Sequence, residues 1–438
     1  MSVSQPPSSS DLAIEFCGIC APNPFWLASG PPTNTIGQVR RAFQAGWGGA
    51  VWKTVTNVPV RNVSARYGVL NVGRRRVVGL NNIELISDRP LDENLREIAA
   101  IKREFPDRAV IVSLMVESRR ETWHEIVRQA EATGADGLEL NFGCPHGMNE
   151  RGMGSAVGQV PDYTRMIVGW VKEVARTPVL VKLTPNVTSI REIARAAREG
   201  GADAISLINT VNSIMGVDPA TLLPTPHVAG RVSHGGYCGP AVRPIALHMV
   251  SQIATDAQVK LPISGIGGVA SWQDALEHML LGAGCVQVCT AVMHHGFGII
   301  DKLRDGLLAW MREHKHRRVA DFVGASASRV VPWGELDQQY RVVAAIDQDT
   351  CINCGLCYVA CEDGCYQAIS HERVAESAWR GERPKWKRLK TTPTSRVNPQ
   401  SIDGFVDVYR VKEDACVGCN MCQYVCPVDG CITMKARA

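Results

Sequence analysis

Residues 138–159 read LELNFGCPHGMNERGMGSAVGQ, and they change abruptly from a predicted strand to a loop. The first five residues are β-prone and mostly apolar, with an asparagine near the end, and a run rich in glycine and polar residues follows them directly. A buried strand that opens into such a loop is where α/β proteins build chemistry. The thiol in this loop, Cys144, is therefore a candidate catalytic residue. A structural loop with a buried thiol is the alternative, because cysteine is among the most buried residue types.

Short β-prone runs alternate with amphipathic helical stretches over the first 315 residues. Eight such units predict an α/β fold of the (β/α)₈ TIM barrel type, because an open doubly wound sheet usually has fewer strands per domain. The predicted strands are 25–29, 50–54, 110–115, 138–142, 179–184, 204–209, 262–267 and 285–290. The predicted helices are 36–45, 91–104, 122–133, 161–175, 190–199, 240–253, 272–281 and 297–315.

Polar residues and glycines gather at the C-terminal ends of these strands, which form the active-site face of a TIM barrel. Gly267-Gly268 and Cys289-Thr290 follow strands seven and eight, the usual phosphate site, so we expect a phosphorylated ligand or cofactor. The sequence GIGG at 265–268 lacks the spacing of a nicotinamide-binding motif. The strand-end residues are Ser29, Lys53, Thr54, Asn141, Lys182, Asn209, Thr210, Gly267, Gly268, Cys289 and Thr290.

The composition is that of a globular protein with metal or redox chemistry. The chain has 438 residues, a net charge of +4 and 45% hydrophobic residues, which is ordinary for a globular protein and does not favour nucleic-acid binding. The N-terminus has no signal-peptide pattern, and no apolar stretch has the length of a membrane span. We expect a cytoplasmic protein whose residues 1–11 are disordered. Sixteen cysteines without a secretion signal then indicate metal or redox chemistry rather than disulfides.

The C-terminal cysteines form two runs of the type C-x₂-C-x₂-C-x₃-C. This doubled run is the pattern of bacterial two-cluster ferredoxins, in which the fourth cysteine of each run binds the other cluster. A zinc ribbon is the alternative, but zinc sites rarely use this spacing. We therefore predict a bacterial-type ferredoxin domain with two [4Fe–4S] clusters, one held by Cys351, Cys354, Cys357 and Cys426 and the other by Cys416, Cys419, Cys422 and Cys361.

The predicted domains are the barrel at 12–315, a linker at 316–345 with a short helix near 318–322, and the ferredoxin-like domain at 346–438. The ferredoxin-like domain contains an insertion, 371–410, whose middle is basic. We interpret this insertion as a solvated surface loop. The more specific alternative is that its basic residues dock a redox partner through complementary charge. Because clusters carry single electrons, the barrel needs a cofactor that converts them into a two-electron reduction. FMN does this, and its phosphate suits the predicted site.

Several segments resemble the dihydropyrimidine dehydrogenase family of the dihydroorotate dehydrogenase-like superfamily. The match covers residues 12–438 and is closest to the catalytic subunits of the bacterial NAD-dependent enzymes. It implies a separate subunit that binds FAD and NAD(P)H, and an assembly that is a homodimer or a heterotetramer. The segments are NIELIS at 82–87, NFGCPHGM at 141–148, ERGMG at 150–154, KLTPN at 182–186, INTV at 208–211, GGYCG at 235–239 and the cysteine runs.

The resemblance also implies roles for individual residues. Cys144 is the implied catalytic acid, and Gly143 stands where the mammalian pattern has serine, so only its backbone could contact substrate. FMN contacts are implied for Ser29, Lys53, Thr54, Asn141, Lys182, Gly239, Ile266, Gly267, Gly268, Cys289 and Thr290. Pyrimidine contacts are implied for Asn82, Asn141, Asn209 and Thr210.

The expected reaction is reversible reduction of uracil or thymine to the 5,6-dihydro form. A hydride passes from FMN N5 to C6, and Cys144 gives a proton to C5, since the ordinary thiol pKa of about 8.5 lies near working pH. Electrons reach FMN through the clusters from NAD(P)H oxidised on the partner subunit. Two alternatives stay open: a dihydroorotate dehydrogenase-like enzyme, which needs a site for the orotate carboxylate, and a non-catalytic electron-transfer scaffold.

Overall fold

The computed structural model describes residues 12–72, 75–145, 147–375 and 405–437. It divides into two compact units, Met1–Val330 and Val331–Ala438. The division falls within the segment predicted as a linker, which contains short 3₁₀ turns at 319–321, 327–329 and 333–335. The N-terminal segment 1–11 and most of the basic insertion, at 376–404, lie outside the described residues. Within the described residues, no helix is both long and apolar enough to cross a membrane.

The first unit contains sixteen strands and ten α-helices within its described residues. The strands are β1 Ile14–Phe16, β2 Ile19–Ala21, β3 Phe25–Leu27, β4 Gly49–Val55, β5 Tyr67–Val72, β6 Arg75–Asn82, β7 Ala109–Leu114, β8 Gly137–Phe142, β9 Val179–Leu183, β10 Ala204–Leu207, β11 Val211–Ser213, β12 Gly216–Val217, β13 Pro224–Thr225, β14 Gly235–Cys238, β15 Ile263–Ile266 and β16 Ala283–Val288. The helices are α1 Ile36–Ala45, α2 Leu91–Glu104, α3 Arg120–Glu131, α4 Ser155–Gly158, α5 Pro161–Lys172, α6 Ile190–Glu199, α7 Arg243–Ala254, α8 Trp272–Leu280, α9 Thr290–His295 and α10 Ile299–Glu313.

Eight parallel strands close into a barrel in the order β10-β15-β16-β3-β4-β7-β8-β9, which confirms the TIM-barrel prediction. Their apolar runs are covered on both sides: all six residues of β7 are buried, as is typical of parallel strands. Capping residues determine where the surrounding helices begin and end, as α1 illustrates. Thr35 caps the start of α1, and Gly46 ends it in the left-handed conformation. The hairpin β1–β2 packs Phe16 and Ile19 with Trp26 at the start of β3, so the opposite end of the barrel is left for the site.

A second sheet in this unit has the order β11-β14-β6-β5 and is antiparallel. Our strand prediction did not include it, because its strands lie between the barrel strands and β5 is largely exposed rather than buried. Asn82 stands in this sheet, opposite Tyr67 on one side and Gly236 on the other. The sheet therefore brings Asn82 toward the residues at the strand ends of the barrel.

The second unit contains β17 Val342–Ile346, α11 Leu356–Glu362, β18 Ile369–Ala375, β19 Phe405–Val411, α12 Met421–Val425 and β20 Ile432–Ala436. Strand β17 pairs with β20, and β18 pairs with β19, both antiparallel. The described ends of the insertion thus form a two-stranded ribbon. The core of this unit consists largely of cysteines, together with residues such as Ile369, Tyr409 and Ile432.

Candidate active site

A cavity of about 580 Å³ opens at the C-terminal ends of the barrel strands. Its size is within the usual range for a cofactor or ligand pocket. It collects nearly all of the residues that the sequence predicted for the site. The predicted residues that line it are Ser29, Lys53, Thr54, Asn82, Asn141, Cys144, Lys182, Asn209, Thr210, Gly239, Ile266, Gly267, Gly268, Cys289 and Thr290.

Asn141, near the end of β8, organises the polar side of the cavity. Its Nδ2 donates to Thr54 Oγ1 at 2.9 Å, and its Oδ1 accepts from Asn209 Nδ2 at 3.0 Å. Thr54 Oγ1 is also 2.8 Å from the hydroxyl of Ser113 and 3.1 Å from that of Ser29. These bonds fix the direction in which each amide presents its donor and its acceptor.

Gly143 is not among the lining residues, but it packs directly against one of them. A Cβ at position 143 would lie 2.4 Å from Cβ of Asn209, which is closer than side chains approach. Its backbone N–H donates to Asn141 Oδ1 at 3.2 Å. Gly143 therefore leaves room for the Asn141–Asn209 contact.

Cys144 is buried beside an apolar cluster, with 7% of its surface exposed. Its neighbours there include Met115, Met148 and Met153. The backbone carbonyl of Cys144 accepts from the N–H of Ser155 at 3.1 Å, which ties the start of the loop to α4. The thiol thus borders the cavity on one side and packs among sulfur-containing and aliphatic side chains on the other.

Lys182 lies beside a buried carboxylate that the sequence analysis missed. Its Nζ is 3.7 Å from Glu139 Oε1, and Glu139 is fully buried. Glu139 Oε2 accepts from Ser206 Oγ at 2.8 Å and from Gln287 Nε2 at 2.9 Å. Gln287 lines the cavity, and its Oε1 has no hydrogen-bond partner among the described residues. That buried oxygen is available to accept a hydrogen bond from a bound group.

Lys53 has a closer partner. Its Nζ donates to Glu84 Oε1 at 2.6 Å, and the side chains of both residues are almost fully buried. Glu84 also accepts from Arg66 at 3.0 Å and from the hydroxyl of Tyr67. Burial and this contact raise the pKa of Tyr67 above its ordinary value. Glu84 and Tyr67 line the cavity with Asn82, and the signal that could have identified Glu84 is its place in the segment NIELIS.

A narrow turn at Gly267 and Gly268 directly follows β15. Gly267 and Gly268 have φ angles of 126° and 75°, which favour glycine. A Cβ on Gly268 would lie 2.5 Å from Cβ of Arg243, so only glycine fits. Burial raises the pKa of Cys289 to about 12, so its thiol is neutral and does not repel an anion. His278 contacts the turn: its Nε2 lies 3.1 Å from the carbonyl oxygen of Gly267. Burial lowers the pKa of His278 to about 4.

The second unit brings the predicted cluster ligands together in two groups. One hollow is lined by Cys351, Cys354, Cys357 and Cys426, and the other by Cys361, Cys416, Cys419 and Cys422. Each hollow thus combines three cysteines of one run with the fourth cysteine of the other run. Among the described residues, no three His, Cys, Asp or Glu side chains converge as a single metal ion requires.

Backbone amides donate to several of these sulfurs. The N–H groups of Asn353, Ala368 and Ala344 lie 3.4, 3.2 and 3.5 Å from the sulfurs of Cys351, Cys361 and Cys416. Such bonds raise cluster potentials. The two cysteines outside the runs also border the hollows, Cys431 the first and Cys365 the second.

Residues 11–311 match the dihydroorotate dehydrogenase family, and residues 350–430 match the 4Fe–4S dicluster domain. The first match covers most of the chain. The chain belongs to the dihydroorotate dehydrogenase family. It is therefore an oxidoreductase, and the two matches support a flavin site in the barrel and iron–sulfur clusters in the C-terminal unit.

Known members of this family differ in the reactions for which they are named. The chain is 40% identical to the NAD-dependent dihydropyrimidine dehydrogenase subunit PreA of Escherichia coli (strain K12), over 82% of this chain and 88% of the relative. It is 44% identical to the chloroplastic dihydropyrimidine dehydrogenase (NADP(+)) of Arabidopsis thaliana, over 73% and 78%. It is 36% identical to the catalytic subunit of dihydroorotate dehydrogenase B (NAD(+)) of Pyrococcus abyssi, over 72% and 98%.

Proposed function

We propose that this chain is the catalytic subunit of a cytoplasmic dihydropyrimidine dehydrogenase that interconverts uracil or thymine with the 5,6-dihydro form. The observation that carries this proposal is the convergence of Asn82, Asn141, Asn209, Thr210 and Cys144 on a single cavity of the barrel. Each asparagine offers a donor and an acceptor, which suits the imide and carbonyl groups of a pyrimidine edge. The pyrimidine-binding set is Asn82, Asn141, Asn209 and Thr210, with Cys144 beside it.

The rest of the cavity suits FMN. Gln287 Oε1, without a partner among the described residues, can accept from the ring, and the Gly267–Gly268 turn offers backbone N–H groups to a phosphate. Lys182 supplies positive charge at the ring edge, moderated by Glu139. When bound, FMN supplies the hydride for C6 of the pyrimidine. The further cofactor contacts are Ser29, Lys53, Thr54, Asn141, Gly239, Ile266, Cys289 and Thr290.

Cys144 holds the proton that C5 receives. A thiol is a stronger acid than a hydroxyl, and the apolar packing around Cys144 keeps water from competing for the transfer. The hydride and the proton together reduce one carbon–carbon double bond and leave a thiolate, which regains its proton from solvent. The amide groups of Asn141 and Asn209, held by their mutual bond, keep the ring in register with the thiol.

The clusters extend the reaction to an external electron donor. We propose two [4Fe–4S] clusters held by the two cysteine groups, which carry electrons to or from the flavin. The NAD(P)H is oxidised on a separate FAD-containing flavoprotein subunit. The naming of the Escherichia coli relative as a subunit supports a partner of this kind.

The proposal is tested with the purified holoenzyme and reduced methyl viologen as the electron donor, without oxygen. We expect uracil and thymine to lose their ultraviolet absorbance as the double bond is reduced, and orotate to be reduced far more slowly. Iron, sulfide and FMN are counted on the same sample. Reduction of orotate in preference to uracil would favour the dihydroorotate dehydrogenase alternative, and reduction of neither would favour the scaffold.

A further inference from the structure

The two lysines of the cavity share one feature: each has an acidic partner. Of the described residues that line it, Lys53 and Lys182 are the only lysines or arginines. Lys53 contacts Glu84 at 2.6 Å, and Lys182 lies 3.7 Å from Glu139. A substrate carboxylate that approached either lysine would therefore meet a cation whose charge is already compensated.

Among the described residues that line the cavity, Glu84 is the only aspartate or glutamate. It lies two residues after Asn82, whose Oδ1 accepts from the backbone N–H of Glu84 at 3.0 Å. Donors from Lys53, Arg66 and Tyr67 hold the Glu84 carboxylate, whose side chain is 6% exposed. Because the group is buried and held on several sides, its negative charge is fixed at the cavity wall and weakly screened by solvent.

A fixed negative charge distinguishes between two classes of pyrimidine. Uracil and thymine are neutral at pH 7, whereas orotate carries an ionised carboxylate at C6. The carboxylate of orotate would be repelled by the carboxylate of Glu84. It would also be attracted only weakly to Lys53, because Glu84 already pairs with the Lys53 ammonium group. The family contains relatives named for both chemistries, so a residue that selects between them has a clear role.

We propose that Glu84 is a specificity-determining residue, which excludes pyrimidines bearing a carboxylate by neutralising Lys53 and repelling the incoming anion. This inference rests on the proposed function, since it assumes that the cavity binds a pyrimidine. Substitution of Glu84 by a neutral residue leaves the buried ammonium of Lys53 without its counter-charge. A carboxylate ligand then supplies that charge.

The test measures equilibrium binding of uracil and orotate to the FMN-loaded enzyme, from the change in flavin absorbance. In Glu84→Gln, we expect the dissociation constant for orotate to fall by on the order of 100-fold. The ratio of the orotate dissociation constant to the uracil dissociation constant should fall as well. The double variant Glu84→Gln/Lys53→Met should lose this gain. Asp88→Asn is the matched control: it removes one negative charge from the same loop, but Asp88 pairs only loosely with Arg66, at 3.7 Å, and does not line the cavity.

The wild-type enzyme gives a second measurement that needs no variant. Orotamide has nearly the size of orotate but no charge, so we expect it to bind much more tightly than orotate. Equal rejection of the two compounds would show exclusion by size and overturn the inference. Continued rejection of orotate by Glu84→Gln and Glu84→Ala enzymes that bind FMN and uracil would also overturn it. Failure of the wild type to bind uracil would instead contradict the proposed function.

Discussion

The side chains of Asn141 and Asn209 are joined directly: Nδ2 of Asn209 donates to Oδ1 of Asn141 at 3.0 Å. Asn141 lies near the end of β8 and Asn209 follows β10, and these two strands are separated in the barrel by β9. Asn209 Oδ1 also accepts from the backbone N–H of Thr210 at 2.8 Å. This contact orients two amides of the proposed pyrimidine site without any ligand, and it leads to the first two predictions.

Asn209→Ala removes one pyrimidine contact and leaves Asn141 Oδ1 with only its bond to Gly143. We expect KM for uracil to rise about tenfold to 100-fold, because a lost hydrogen bond and a poorly held amide cost about 1.5–3 kcal/mol. FMN content should be unchanged. Asn212→Ala, at an exposed position nearby, is the control. A variant with wild-type KM would remove Asn209 from the site.

Gly143→Ser places a side chain where only 2.4 Å separates a new Cβ from Asn209. Because Asn209 must move, we expect weaker uracil binding and a higher KM, with bound FMN retained. Gly169→Ser is the matched control, since a Cβ there meets nothing within 4 Å. Unchanged or tighter uracil binding in Gly143→Ser would contradict this account of why glycine occupies the position.

Cys144→Ala should retain FMN and both clusters but lose about 10²- to 10⁴-fold in turnover, the usual contribution of a positioned acid. Cys144→Ser should be nearly as slow, because a hydroxyl is a much weaker acid. Steady-state uracil reduction measures both variants. Cys238→Ser is a useful comparison, since Cys238 also lines the cavity and burial raises its pKa to about 11. Wild-type turnover by Cys144→Ala would exclude the assignment.

The cysteine groups predict which ligands share a cluster. Wild-type protein should contain about eight iron atoms per chain. Cys351→Ser/Cys426→Ser should lose one cluster, because both residues line one hollow, whereas Cys416→Ser/Cys426→Ser should damage both. Cys365→Ser should keep both. Iron and sulfide analysis with electron paramagnetic resonance distinguishes these cases, and equal losses in the two double variants would contradict the crossed arrangement.

His278 gives the first unit a dependence on pH. Burial lowers its pKa to about 4, from 6.5. As pH falls below about 6.5, the unfolded chain takes up a proton that the folded chain does not, so stability falls until about pH 4, by about 3 kcal/mol in total. Above about pH 6.5, His278 is neutral in both the folded and the unfolded chain, so no stability is lost. We expect the Tm of His278→Gln to change less between pH 7 and 5 than that of the wild type. His248→Gln, at an exposed position, should follow the wild type.

The barrel and the crossed cysteine groups could be predicted because their signals are local. The alternation of apolar runs and helices identifies all eight barrel strands, and motif spacing identifies the two groups of cysteines that line the hollows. The antiparallel sheet that carries Asn82 was missed, because β5 is mostly exposed and lacks the apolar run of a buried strand. Its strands also pair with segments that are distant in the sequence.

The acidic partners of the two cavity lysines could not be predicted from pattern. Glu139 lies within the largely apolar strand β8, and nothing local indicates that its side chain lies beside Lys182 of the neighbouring strand β9. Glu84 is separated from Lys53 by 31 residues, and only the fold brings them together. Polar residues within otherwise apolar, buried strands, such as Glu139 and Gln287, are the sequence signal that could identify such partners.

We propose that the cavity beside Cys144 reduces a neutral pyrimidine. A single-turnover experiment tests this: fully reduced holoenzyme is mixed with uracil or orotate, without oxygen, and the flavin absorbance is followed. We expect uracil to oxidise the flavin and yield dihydrouracil, and orotate to leave the flavin reduced. Oxidation by orotate but not uracil, or by neither, would contradict it.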